Sequence, residues 1–89
     1  MARILVKSVE EALAQNTAGA KIFSNARLVR VVNTTANAYL VTLVAEVGGS
    51  TLGSFTLAGG ESVELEKEPL NGIFAANNGV KASAIGYSN

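Results

Sequence analysis

An all-β fold, mainly antiparallel and built as a small sandwich or barrel, is what this sequence predicts. Three observations predict it. Apolar and polar residues alternate over several short runs, the period of a half-buried strand. Turn-forming residues recur about every eight to twelve positions, the spacing of a small sandwich or barrel. Between residues 38 and 47 both parities are apolar, with Tyr39, Val41, Leu43 and Val47 against Leu40 and Val44. Such a run suits a central strand covered on both faces, or one whose outer face meets a partner.

The elements follow in order. "RILVKS" reads as a short strand. In "SVEEALAQNTAG", Ser8 and Glu11 have the capping-box spacing ahead of Ala12, Leu13 and Ala14. That segment allows one short helix near residues 9–16, ending by Gly19. Two turns are marginal on their own, so an extended arm is the alternative. "RLVRVVN" (27–33) is the next strand, and a polar "TTANA" turn leads into the 38–47 strand. After Gly48-Gly49-Ser50, Phe55 and Leu57 point one way, Ser54 and Thr56 the other. In "ESVELEK", Val63 and Leu65 likewise oppose Glu64 and Glu66. Gly59-Gly60 can take positive φ, so residues 52–67 are predicted to form a hairpin. Pro69 ends the second strand or places it at a sheet edge, because proline cannot donate to a ladder. "NNG" at 77–79 predicts a second hairpin between "GIFAA" and "VKASAIGY", since Asn and Gly both tolerate left-handed backbone.

A chain of 89 residues without Cys or His makes one β domain, 1–89, with residues 1–19 as its arm or short helix. Disulfides, thiolate chemistry and the usual zinc sites are excluded. A domain this small and uncrosslinked commonly gains stability by association. Charged residues are 16% of the chain and hydrophobic ones 48%, against about 25% charged in a typical domain. A surface so poor in charge is expected to be partly covered in the working state, by copies of the chain or a larger partner. Net charge is zero, which argues against a nucleic-acid binder that neutralises phosphates. The charges are nevertheless polarised. Arg3, Lys7, Lys21, Arg27 and Arg30 dominate the first third, while Glu61, Glu64, Glu66 and Glu68 crowd around Lys67. Such polarity steers one copy onto another, or else the two segments lie side by side in one fold. No run approaches the ~18 apolar residues of a membrane span and no signal segment is evident. Synthesis in a host cytoplasm and no membrane partner are the expectations.

The acidic cluster is the first candidate for chemistry, and the pattern argues against it. Period two puts Glu64, Glu66 and Glu68 on one strand face, about 7 Å apart. A glycosidase pair needs carboxylates facing each other across a substrate. A hard-cation site needs converging oxygens, generally from loops rich in Asp and Asn, and this chain has no Asp. A row of Glu fits better as a solvated surface that discourages edge pairing. Nucleophilic catalysis lacks a histidine base and a G-x-S-x-G elbow. A Ser–Lys pair would need Lys7, Lys21, Lys67 or Lys81, and no local spacing supplies it. The glycine pairs sit between strands and not before helices, so they are turn glycines and not phosphate cradles. Phe23, Phe55, Phe74, Tyr39 and Tyr87 are dispersed, which favours core packing over base stacking. Asn33-Thr34-Thr35 matches a glycosylation sequon.

Read end to end, the chain resembles the small virion structural proteins of tailed bacteriophages, particularly those of marine cyanophages. The residues that carry the likeness are "MARILVKS", "RLVRVVNTTANAYLVTLV", "SFTLAGGESVELEKEP" and "VKASAIGYS". These are scaffold motifs, and "EEALAQ" has no counterpart among them. The resemblance implies a non-enzymatic protein on the virion surface: a head decoration or cement protein bound in many copies to the major capsid protein. The alternative it implies is a tail, collar or fibre-associated module that meets host glycan or a tail protein. A small hydrolase or metal-dependent enzyme is the poorest candidate. No catalytic, metal or cofactor residues are carried over. The expected contacts are the arm with Arg3 and Lys7, the strand residues Arg27 and Arg30, and the row Glu64, Glu66 and Glu68.

Overall fold

The computed structural model describes residues 3–88; Met1, Ala2 and Asn89 of the predicted 1–89 domain lie outside them. Eight strands follow one another: β1 (Arg3–Val6), β2 (Glu11–Ala12), β3 (Leu28–Asn33), β4 (Tyr39–Val44), β5 (Thr51–Leu57), β6 (Ser62–Glu66), β7 (Gly72–Ala75) and β8 (Val80–Ser88). Every pairing between them is antiparallel. The larger sheet runs β1-β8-β3-β6, with β2 also on β8, and the smaller runs β5-β4-β7. The predicted all-β fold is the one observed.

Alternation explains the layering. β3 buries Val29, Val31 and Asn33 and turns Leu28, Arg30 and Val32 outward. Across the gap the smaller sheet contributes Val41, Leu57, Ile73 and Ala75, while Val80, Ala82 and Ala84 complete the larger sheet's inner face. Each fully buried Val, Leu or Ile contributes about 1.5–3 kcal/mol. Phe55, Val63 and Leu65 pack against this core as the period-two reading predicts.

The two predicted hairpins are not hairpins. β5 pairs with β4 and β6 with β3, so Gly59-Gly60 carries the chain from one sheet to the other. A two-stranded ribbon would leave Phe55, Leu57, Val63 and Leu65 on one uncovered face; crossing over lets the two pairs face each other across the core. Gly60 takes φ +79. A Cβ on Gly59 would stand 2.6 Å from the Ala36 backbone, so the two crossing loops touch only because glycine is there. The "NNG" turn also crosses between sheets, and none of Asn77, Asn78 and Gly79 adopts positive φ. Its shape is set by Asn77 Oδ1, which accepts from the Gly79 N–H at 2.7 Å, and by Thr34, whose Oγ1 donates to the Gly79 carbonyl at 2.6 Å. The hairpin that does form is β4–β5, around Gly48 at φ +77, and sequence reading did not assign it.

The helix allowed at residues 9–16 is replaced by the extended alternative. β2 pairs with β8 at Glu11–Ala82 and Ala12–Lys81. Ser8 does not cap a helix; its Oγ accepts from the Ala84 N–H at 2.8 Å and so repairs the ladder between β1 and β2. A ladder along a ready-made strand outweighs two unsupported helical turns. A single 3-10 turn follows at Thr17–Gly19, capped by the Asn16 side chain.

Candidate interaction surfaces

Asn33 and Asn71 hold the surfaces in place. The Asn33 side chain is fully buried at the end of β3. Its Nδ2 donates to the carbonyls of Asn37 (2.7 Å) and Leu57 (2.9 Å), and its Oδ1 accepts from the Thr35 N–H (2.9 Å) and Oγ1 (2.7 Å). One amide thus ties the β3–β4 crossing to the end of β5. With that side chain at 0% exposure the sequon is a structural knot. Asn71 repeats the device for the β6–β7 crossing, accepting from the Glu68 N–H at 2.9 Å and donating to the Ala45 carbonyl at 3.1 Å. Sequence reading passed over the Asn33 role, although residue 33 lies on the buried parity of 29 and 31.

The charged candidates gather on the outer face of the larger sheet. Arg30 stands opposite Glu64 on β6 and Ser83 on β8, and Glu66 stands opposite Leu28. Arg27 Nη1 lies 3.4 Å from Glu68 Oε2 with both side chains solvated, a pair worth little. Arg27 and Arg30 are therefore neighbours of the acidic row in one fold, as in the second of the two arrangements expected, whereas Arg3 on β1 and Lys7 just after it lie at the opposite edge of the sheet and Lys21 pairs with Glu11. The Tyr87 phenol on this sheet is held above its usual range by hydrogen bonding to the Glu64 carboxylate, then by desolvation and by that carboxylate's charge. Lys67 departs from the row. It is 4% exposed, its Nζ donates to the Pro69 carbonyl at 3.2 Å, and burial pushes its ammonium below the usual lysine range.

Lys7 and Arg27 both line a groove of about 290 Å³, together with Phe23, Leu28 and Ile85. Phe23, Ser24 and Asn25 beside it all adopt positive φ, which costs non-glycine residues energy. Among the described residues no cluster of three or more acidic, His or Cys side chains could hold a metal ion, and no buried side-chain polar atom lacks a partner. No helix of the described residues is long and apolar enough to cross a membrane.

The smaller sheet and β1 look different. The outer face of the smaller sheet presents Leu40, Leu52, Ser54, Thr56 and the half-buried Phe74, with Thr42 buried among them, and no charge. β1 is exposed on both faces: Ile4 is 44%, Leu5 41% and Val6 77% accessible, and Val9 beyond it 83%. Compared with known proteins, the chain matches no family model, no curated protein and no solved structure.

Proposed function

We propose that this chain is a non-enzymatic phage virion structural protein, a head decoration or cement protein that binds the outside of the major capsid protein in many copies. The observation that carries the reading is β1. A strand with apolar side chains exposed on both faces is poorly stabilised by its own domain. It gains its burial by lying against something else, and Arg3 and Lys7 bracket the apolar run with charge that fixes its position on a polar rim. In the docked protein Arg27, Arg30, Glu64, Glu66 and Glu68 on the larger sheet supply further polar contacts around that apolar strand. The chain's low charge and its resemblance to small virion proteins support the same reading. Repetition over a symmetric lattice makes many modest contacts effective.

Quantitative mass spectrometry of purified virions against the major capsid protein tests this. The reading expects copies on the order of hundreds, because only repeated symmetric sites hold so many. A count of roughly six or twelve would move the protein to the tail or collar, and absence from the particle would end the virion reading. Ile4→Lys with Val6→Lys, both exposed, should strip the protein from shells without unfolding it.

A further inference from the structure

Among the described residues the edge of β7 is met by Ala14 and Lys21, β1 is flanked by Arg3 and Lys7, and β6 carries Glu64 and Glu66. β5 has no such protection. The Leu40 carbonyl of β4 accepts from the Ala76 N–H at 2.9 Å, on the β7 side. Backbone groups alternate sides along a strand, so Tyr39, Val41 and Leu43 turn theirs toward β5, opposite Leu57, Phe55 and Gly53. The N–H and C=O groups of Ser54 and Thr56 therefore point away from β4, and no loop backbone meets them. Residues 47–60 contain neither charge nor proline, two devices that normally keep edges apart. A bulge, the third device, lies at the start of β5, where the register shifts at Leu43/Val44.

We infer that a second copy of this chain docks here, its β5 pairing antiparallel with β5 about a two-fold axis at Ser54 and joining two three-stranded sheets into one of six strands. Self-pairing fits the residues. Ser54 meets Ser54, Leu52 meets Thr56 and Gly53 meets Phe55, so no like charges oppose each other. The outward-pointing backbone groups of the two Ser54 residues fall opposite one another, so the ladder starts in register there and runs outward toward the bulge at Leu52. A Cβ at Gly53 would have nothing within 4 Å, and the half-buried Phe55 of the second copy covers that gap, as aromatics do across edge glycines. Glycine at 53 opposite an aromatic is self-complementary under two-fold symmetry. The inference stands apart from the capsid reading, because it concerns the purified chain in solution and not its count in a particle.

Analytical ultracentrifugation over a hundredfold concentration range tests it. The chain should sediment as a dimer dissociating on dilution. Ser54→Lys should weaken dimerisation by at least about tenfold, because the two lysines face each other across the axis. Ser54→Pro should do the same while keeping the monomer folded by circular dichroism, since its lost N–H points away from β4. Ser62→Lys on β6 should leave the dimer intact. A chain that stays monomeric throughout, or a dimer that survives both Ser54 variants, overturns the inference.

Discussion

β5 and β6 follow each other in the chain, joined at Gly59-Gly60, and each ends its sheet, yet their edges have opposite chemistry. At the two ends of β6 the Glu61 carbonyl accepts from Asn33 and the Lys67 N–H donates to Arg27, so alternation leaves the backbone of Ser62, Glu64 and Glu66 facing outward. β5 leaves Ser54 and Thr56 facing outward in the same way. Backbone geometry thus offers both strands to a partner, and side chains decide between them. Pairing β6 with itself would bring Glu64 against Glu64 or Glu66, whereas pairing β5 with itself opposes only hydroxyls, Leu52, Gly53 and Phe55. Low overall charge in this chain is low charge in a particular place.

The comparison rests on the crossings that put the two strands in different sheets, so the largest effect expected is from breaking one. Asn33→Ala takes the acceptor from the part-buried Thr35 N–H and one donor from the buried Leu57 carbonyl and should cost about 3 kcal/mol, read as a lower urea midpoint at unchanged slope. A loss below about 1 kcal/mol would mean that the crossings hold without the knot. Removing charge from β6 sharpens the contrast: Glu64→Ser with Glu66→Thr should give assemblies larger than a dimer, while a gain on the order of 1 kcal/mol or less per opposed pair keeps them weak. If that variant sediments like the parent, charge is not what protects β6.

Alkaline titration probes the Glu64 face. Tyr87 has a folded pKa raised above its unfolded value, so its contribution is present below about pH 10 and is lost as pH rises through the folded value. Tyr87→Phe should remove that loss, seen as a flatter alkaline stability profile. Lys67 runs the other way: its folded pKa is lowered, so its burial cost fades as pH rises toward about 10.4. Lys67→Met should therefore change neutral stability little or raise it. The smallest effect is expected at Arg27→Ala, within about 0.5 kcal/mol by thermal or urea unfolding.

Much of the fold was legible because period-two alternation is a local signal. Phe55 and Leu57 face the core against Ser54 and Thr56, and Val63 and Leu65 against Glu64 and Glu66, as read. Pairing partners were not legible. Gly59-Gly60 marks a turn equally well in a hairpin and in a sheet crossing, and only the need to cover both apolar faces separates the two. The capping-box spacing at Ser8 and Glu11 was overridden by the open edge of β8, a tertiary effect. Charge polarity along the chain said nothing about distance in space, so the nearness of Arg30 to Glu64 needed the register of β3 and β6. The double exposure of β1 was invisible too, because "RILV" reads as an ordinary strand until its neighbours are known.

Amide hydrogen exchange by NMR, at low and high protein concentration, compares the two edges residue by residue. The Ser54 and Thr56 amides should become slow to exchange as concentration rises, while those of Glu64 and Glu66 stay fast. Fast exchange at Ser54 and Thr56 at every concentration, or equal protection of both strands, would contradict this.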